Sequence, residues 1–98
     1  MHKIIYRVVV KAGQEEAFRQ LASGVLIPQA LQMSGCQLFT LFCNIGNARE
    51  FIFYEQWAVH ADVAAYKQKL LEILGPAHPG EEFPARLNDL IEADEDLV

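Results

Sequence analysis

The run FIFYEQWAVHADVAAYKQKLLEIL, from Phe51 to Leu74, restricts what this chain can fold into more than any other stretch. Phe51 to Trp57 are aromatic or branched at almost every position and far too few to span a bilayer, which predicts a strand covered on both faces. Beyond a short joint, Val59, Val63, Tyr66, Leu70 and Ile73 recur at three- and four-residue steps, placing them on one face of a helix. Gly75-Pro76 ends it, since glycine tolerates a left-handed conformation and proline cannot extend a helix. One strand running straight into one amphipathic helix is the unit around which the rest must close.

Before that unit, Lys3 to Val10 (KIIYRVVV) predicts the first strand, with Ile5, Arg7 and Val9 on one face and Ile4, Tyr6, Val8 and Val10 on the other. Lys11-Ala12-Gly13 is a turn. The first helix begins near Gln14, with Glu15 and Glu16 suited to the positive end of its dipole and a buried stripe of Ala17 or Phe18, Leu21, Ala22 and Val25. Pro28 removes a backbone donor, so a break is expected near Gly24 to Ile27, followed by a separate helical turn from Pro28 to Met33. A pocket opening at that break competes with a plain helix end. Cys36 to Cys43 predicts the second strand, and Asn44-Ile45-Gly46-Asn47 a compact turn into the third. After the second helix, Pro76, Pro79, Gly80 and Pro84 mark an irregular loop placed to lie over one end of the sheet. Arg86 to Glu92 is read as the fourth strand, although Leu87, Leu90 and Ile91 also fit a helical turn. Asp94, Glu95 and Asp96 are read as a solvated acidic end.

The order is β-α-β-β-α-β, the split arrangement of ferredoxin-like α+β folds with an antiparallel sheet, and 98 residues allow a single domain over 1–98. Two helices cover one face of such a sheet. Both alternation sets of the strands are apolar, so the second face requires cover, and another copy of the chain is the expected partner.

Glu55-x-Trp57, a short gap, then Ala61 and an Ala-Ala-Tyr run ending at Tyr66 resemble the signature of the antibiotic biosynthesis monooxygenase superfamily. Ser34-Gly35-Cys36, opening the second strand, resembles the Pro-Gly-Cys often found there. The resemblance implies a homodimeric α/β barrel and a cofactor-independent monooxygenase acting on a phenol or quinol, with no metal and no cofactor. Many relatives carry a histidine where this chain has Tyr66. Haem-degrading relatives carry a tryptophan near that position and a ligating histidine about ten residues on, where this chain has Gly75-Pro76; haem chemistry is therefore disfavoured.

Composition excludes other classes. A formal charge of −5, with eight Lys and Arg scattered along the chain, lacks the clustered positive surface that displaces counterions from nucleic acid. No run approaches the roughly 20 apolar residues of a membrane helix, and Met1 to Tyr6 has no signal-peptide core, so a cytoplasmic protein is expected. Cys36 and Cys43 lie seven positions apart on one predicted strand, facing opposite ways and about 23 Å apart at ~3.3 Å per residue, too far to pair.

No strong catalytic motif is present. His2, His60 and His78 are isolated in sequence, and His78 near Glu81 and Glu82 reads first as a solvated loop. Cofactor-free oxygenation needs an aromatic-walled cavity, a base or hydrogen bonds that favour the substrate anion, and exclusion of water. Trp57, Tyr66 and Glu55 are the candidate catalytic residues. Phe18, Phe39, Phe53, Tyr6 and Arg7 are the candidate substrate contacts, with a small aromatic or other hydrophobic ligand implied. Each has a plainer reading: Trp57 as core packing, Tyr6 at a dimer interface, Glu55 in an ion pair with Arg7 or Arg49 across it. Tyrosine at 66 donates hydrogen bonds but is a poor base, with a pKa near 10.

Overall fold

A computed structural model of the chain describes residues 1–98. Strand β1 (His2–Val10) leads into α1 (Glu15–Leu21), a π-helical segment (Ala22–Leu26) and α2 (Ile27–Gln32). Strands β2 (Cys36–Asn44) and β3 (Asn47–Trp57) form a hairpin, followed by α3 (His60–Leu74), the short α4 (Ala85–Asn88) and β4 (Ile91–Asp96). The strands form one antiparallel sheet in the order β2-β3-β1-β4, so the fold is ferredoxin-like α+β.

The expected break before Pro28 is instead a π turn in a helix that continues to Gln32. The Ile27 N–H reaches back five residues to the Ala22 carbonyl, and this wider turn absorbs a proline that has no N–H to give. The extra residue also rotates the stripe, so that Leu26 and Ala30 are buried after Phe18, Leu21 and Ala22, while Val25 is only half-buried and Ala17 is exposed.

In β3, Phe51, Phe53, Glu55 and Trp57 all point to the helices and are all buried, as strand alternation requires. Their neighbours Ile4, Tyr6 and Val8 on β1 and Phe39, Leu41 and Cys43 on β2 join the same face through the register. Phe18 packs on Phe51 and Phe53 at ring-centre distances of 4.7 and 6.0 Å. From α3, Val63, Tyr66 and Leu70 enter the core, whereas Val59 and Ile73, the ends of the expected stripe, are exposed. The opposite face carries Ile5, Arg7, Leu38, Phe42, Ile52 and Tyr54, which are half-buried or exposed within the chain, and Val9, which is buried.

Two expectations fail for local reasons. The fourth strand is Ile91–Asp96 and not Arg86 to Glu92: Leu87 is buried by a helical turn at Ala85–Asn88, and Asp94, Glu95 and Asp96, solvent-exposed as expected, belong to the strand and pair along the edge of β1. A bulge between Cys36 and Leu38 shifts the register so that Cys36 stands opposite Trp57 and Cys43 opposite Phe51, on the same face rather than on opposite faces. Both remain free thiols. No helix is long and apolar enough to cross a membrane.

Candidate functional site

Between the sheet and α3, at the end closed by the loop that follows α3, two adjoining chambers share Tyr6, Glu55, Tyr66 and Phe83. The inner chamber, about 50 Å³, is walled by Val8, Leu26, Phe39, Phe53, Leu70, Leu87 and Ile91, and Glu55 is its one hydrophilic residue. The outer chamber, about 160 Å³, adds Ile4, Val63 and the charged side chains of Lys67, Glu82 and Asp96.

Glu55 lies where the chambers meet, 8% exposed. Trp57 is two residues further along the same strand face, and its Nε1–H donates to Glu55 Oε1 at 2.9 Å. No protein donor reaches the other carboxylate oxygen. Burial pushes the Glu55 carboxyl above its ordinary value, and the Trp57 N–H and the Lys67 charge pull it part of the way back. Tyr66 packs at a tilt against Trp57 and edge-on against Phe39, at 5.3 and 5.6 Å between ring centres, and its hydroxyl donates to the Leu26 carbonyl at 2.7 Å. Burial, with the Glu55 charge behind it, pushes the Tyr66 phenol upward, so it stays protonated. The Tyr6 hydroxyl donates to Asp94 and is likewise raised, first by burial and then by that carboxylate. At the rim Lys67 pairs with Glu82 at 3.1 Å and lies over the Phe83 ring at 5.5 Å.

The joint between β3 and α3 explains Gly35. A Cβ there would come within 2.0 Å of the Asp62 carboxylate, which accepts the Val59 N–H at the start of α3. The Gly35 carbonyl accepts the Ala58 N–H at 2.8 Å, so strand entry and helix start are tied together beside the cavity.

Over residues 1–70 the chain matches the profile of the antibiotic biosynthesis monooxygenase family, well over half its length. The chain belongs to this family. Its fold is that of a candidate antibiotic biosynthesis monooxygenase from Nitrosomonas europaea, at 22% identity and TM-score 0.75, covering 99% of this chain and 94% of the other. A Pseudomonas aeruginosa protein gives 18% identity and TM-score 0.72 over 96% and 86% of the two chains, and a Shewanella oneidensis protein 19% and 0.73 over 96% and 84%. No curated protein matches the sequence.

Within this antibiotic biosynthesis monooxygenase fold, Glu55, Tyr66, Tyr6, Phe39 and Phe53 converge on the cavity. Trp57 does not line it, being fully buried behind Tyr66 and acting on the site only through Glu55. Phe18 also stands behind the wall, against Phe51 and Phe53. Arg7 is on the uncovered face of the sheet, paired with Glu50 at 2.6 Å and Glu95 at 3.4 Å, and contributes nothing to the cavity. Within the chain Glu55 therefore makes no ion pair with Arg7, nor with Arg49, which reaches Glu92.

Among the histidines, His78 pairs with Asp89 rather than with Glu81 or Glu82, and His2 and His60, remote in sequence, meet edge-on at the surface with ring nitrogens 3.4 Å apart. Lys67, Phe83, Leu26 and Asp96 also line the cavity, and strand or helix periodicity does not mark them for it. Phe83, a lone aromatic between Glu-Glu and Pro in a polar loop, carried the one visible signal.

Proposed function

We propose that the chain is a cofactor-independent monooxygenase that takes a small phenol or quinol into the cavity beside Glu55. The observation that supports this most directly is a carboxylate more than nine-tenths buried, opening onto an aromatic-walled chamber with its proton affinity raised. A carboxylate moved toward neutrality is a better general base than one in water.

In this reading the phenolic hydroxyl donates to the free oxygen of Glu55 and passes its proton there. The electron-rich anion reduces dioxygen directly, so no resident redox group is needed. For a phenol with an open para position, the ring carbon gains one oxygen atom as a carbonyl, and the C–H and O–H hydrogens leave with the second oxygen as water. The substrate gives up four electrons and dioxygen accepts four. Lys67, held at the rim by Glu82, lies where it attenuates the negative charge, and the apolar inner walls keep water from the intermediate.

A second reading, binding without turnover, has one observation in its favour: no histidine borders either chamber. Oxygen uptake under metal-free conditions with a panel of hydroquinones and naphthols separates the two. The enzyme reading expects one dioxygen consumed per product and a loss of about 10²-fold or more in Glu55→Gln. Zero turnover with every compound, despite measurable binding, sinks it.

We further propose a homodimer formed through the uncovered sheet face. Apolar Ile5, Leu38, Phe42, Ile52 and Tyr54 share this face with the Arg7 ion pairs, and a second copy of the same face supplies matching cover.

A further inference from the structure

Every hydrogen-bond donor in the depth of the cavity is already committed to the protein. The Trp57 N–H goes to Glu55 Oε1, the Tyr66 hydroxyl to the Leu26 carbonyl, and the Tyr6 hydroxyl to Asp94. Lys67 alone keeps protons to spare, and it stands at the rim, neutralised by Glu82. Among the residues that border the space, the second oxygen of Glu55 and the Asp96 carboxylate at the mouth receive no proton from the protein, and both are acceptors.

We propose that Glu55 is the specificity-determining residue of this cavity, and that the cavity takes aromatic ligands carrying a hydrogen-bond donor, a hydroxyl or an amine, over ethers, quinones or carboxylates of the same size. This rests on the reading of the cavity as the ligand site. A ligand with a donor completes the coordination of the buried carboxylate. One without a donor excludes water from it and gives nothing back, and sites built to pair with a substrate hydroxyl reject analogues lacking it strongly. A carboxylate ligand adds repulsion from Glu55, Glu82 and Asp96. The outer chamber, about 160 Å³, matches a single ring, since an apolar cavity of about 150 Å³ accommodates benzene. The same rule favours turnover: a quinone product has given up the donor that held its precursor, so it leaves more readily than substrate.

Calorimetric titration in anaerobic buffer at pH 8, where oxidation cannot intervene, tests this with 4-methylphenol, 4-methylaniline, 4-methylanisole and 4-methylbenzoate. The phenol and the amine should bind about tenfold or more tighter than the ether, and the benzoate weakest. In Glu55→Gln the amide oxygen still accepts the Trp57 N–H, while its NH₂ now donates into the cavity, so the ether should gain on the phenol. An ether that equals the phenol on the wild-type protein overturns the donor rule while leaving the cavity as a ligand site. An order unchanged in a Glu55→Gln protein that melts cooperatively overturns the role of Glu55. No binding by any of the four overturns both the rule and the cavity reading.

Discussion

The indole nitrogen of Trp57 donates to the Glu55 carboxylate at 2.9 Å from two positions along the same strand. Alternation on a strand puts residues i and i+2 on one face, so Glu-x-Trp is the shortest spacing that lets the ring serve a buried carboxylate. This turns a residue that reads as core packing into one that positions the candidate base. Trp57→Phe keeps an aromatic ring but removes the donor, which should cost about 2–4 kcal/mol from the lost charge-assisted bond and the space left behind. Urea denaturation measures that loss. In the same variant the Glu55 carboxyl should rise further, visible by carbon-13 NMR; a fall would overturn the positioning role.

Glu55 also predicts an uncommon dependence of stability on pH. Its folded-state pKa lies above the unfolded one because burial penalises the charge. In the window between the two values the folded chain holds more protons than the unfolded chain, so the contribution of this group falls as pH rises. The decline starts near the ordinary glutamate range and levels off once the pH passes the raised folded value. Glu50 works the other way: hydrogen bonds from Asn44 and Arg7 hold it low, so its contribution fades as pH falls. The stability difference between wild type and Glu55→Gln, measured by urea denaturation from pH 4 to 8, isolates the first effect and should shift in favour of the glutamine variant as pH rises.

Gly35 should refuse a side chain even though its backbone φ is not positive. The obstacle is Asp62, whose Oδ2, Cγ and Cβ all lie within 2.7 Å of where a methyl group would stand. Because Cβ is among them, swinging the carboxylate aside does not clear the contact. Gly35→Ala should lower stability by about 1–3 kcal/mol. Thermal melts of the Gly35→Ala and Asp62→Ala single and double variants check the cause. If Asp62 is the obstacle, the alanine at 35 costs less in the Asp62→Ala background than alone.

The residues that were legible in advance are those whose pattern matches their period. Phe51 to Trp57 and the Val63, Tyr66, Leu70 stripe satisfy strand and helix spacing with no outside influence, and they lie where the spacing put them. Arg86 to Glu92 was not legible, because Leu87 is buried by a turn while Ile91 joins a strand, and a short apolar run carries both periods. The facing of Cys36 and Cys43 is not legible, because a single bulge between Cys36 and Leu38 reverses what strand alternation predicts. At the site, Arg7 reads as a candidate substrate contact or an ion-pair partner for Glu55, but its partners Glu50 and Glu95 come from the two neighbouring strands on the opposite face of the sheet. Lys67 carries no sequence signal of a cavity residue, because it follows a buried tyrosine on a helix, where a lysine usually serves only solvation; the loop bearing Glu82 and Phe83 meets it at the cavity rim.

The uncovered face leads to the assembly prediction. Tyr54 and Ile52 occupy its centre, on the strand that lies between β2 and β1, and Phe42 beside them is 55% exposed. Two copies closing on this face should bury on the order of 800 Å² per partner, with an apolar middle and the Arg7 ion pairs inside it. Sedimentation at micromolar concentration should therefore give twice 11.0 kDa. Tyr54→Asp places an uncompensated carboxylate in the middle of that contact while leaving the helix-facing core of its own chain untouched, because position 54 points away from Phe53 and Glu55. The variant should cost several kcal/mol of dimer stability and appear as unfolded or aggregated protein, since the face it strands is too apolar to stay exposed. A wild-type protein that sediments as a stable monomer, or a Tyr54→Asp protein that dimerises as tightly as wild type, would show that this face is not the one that closes.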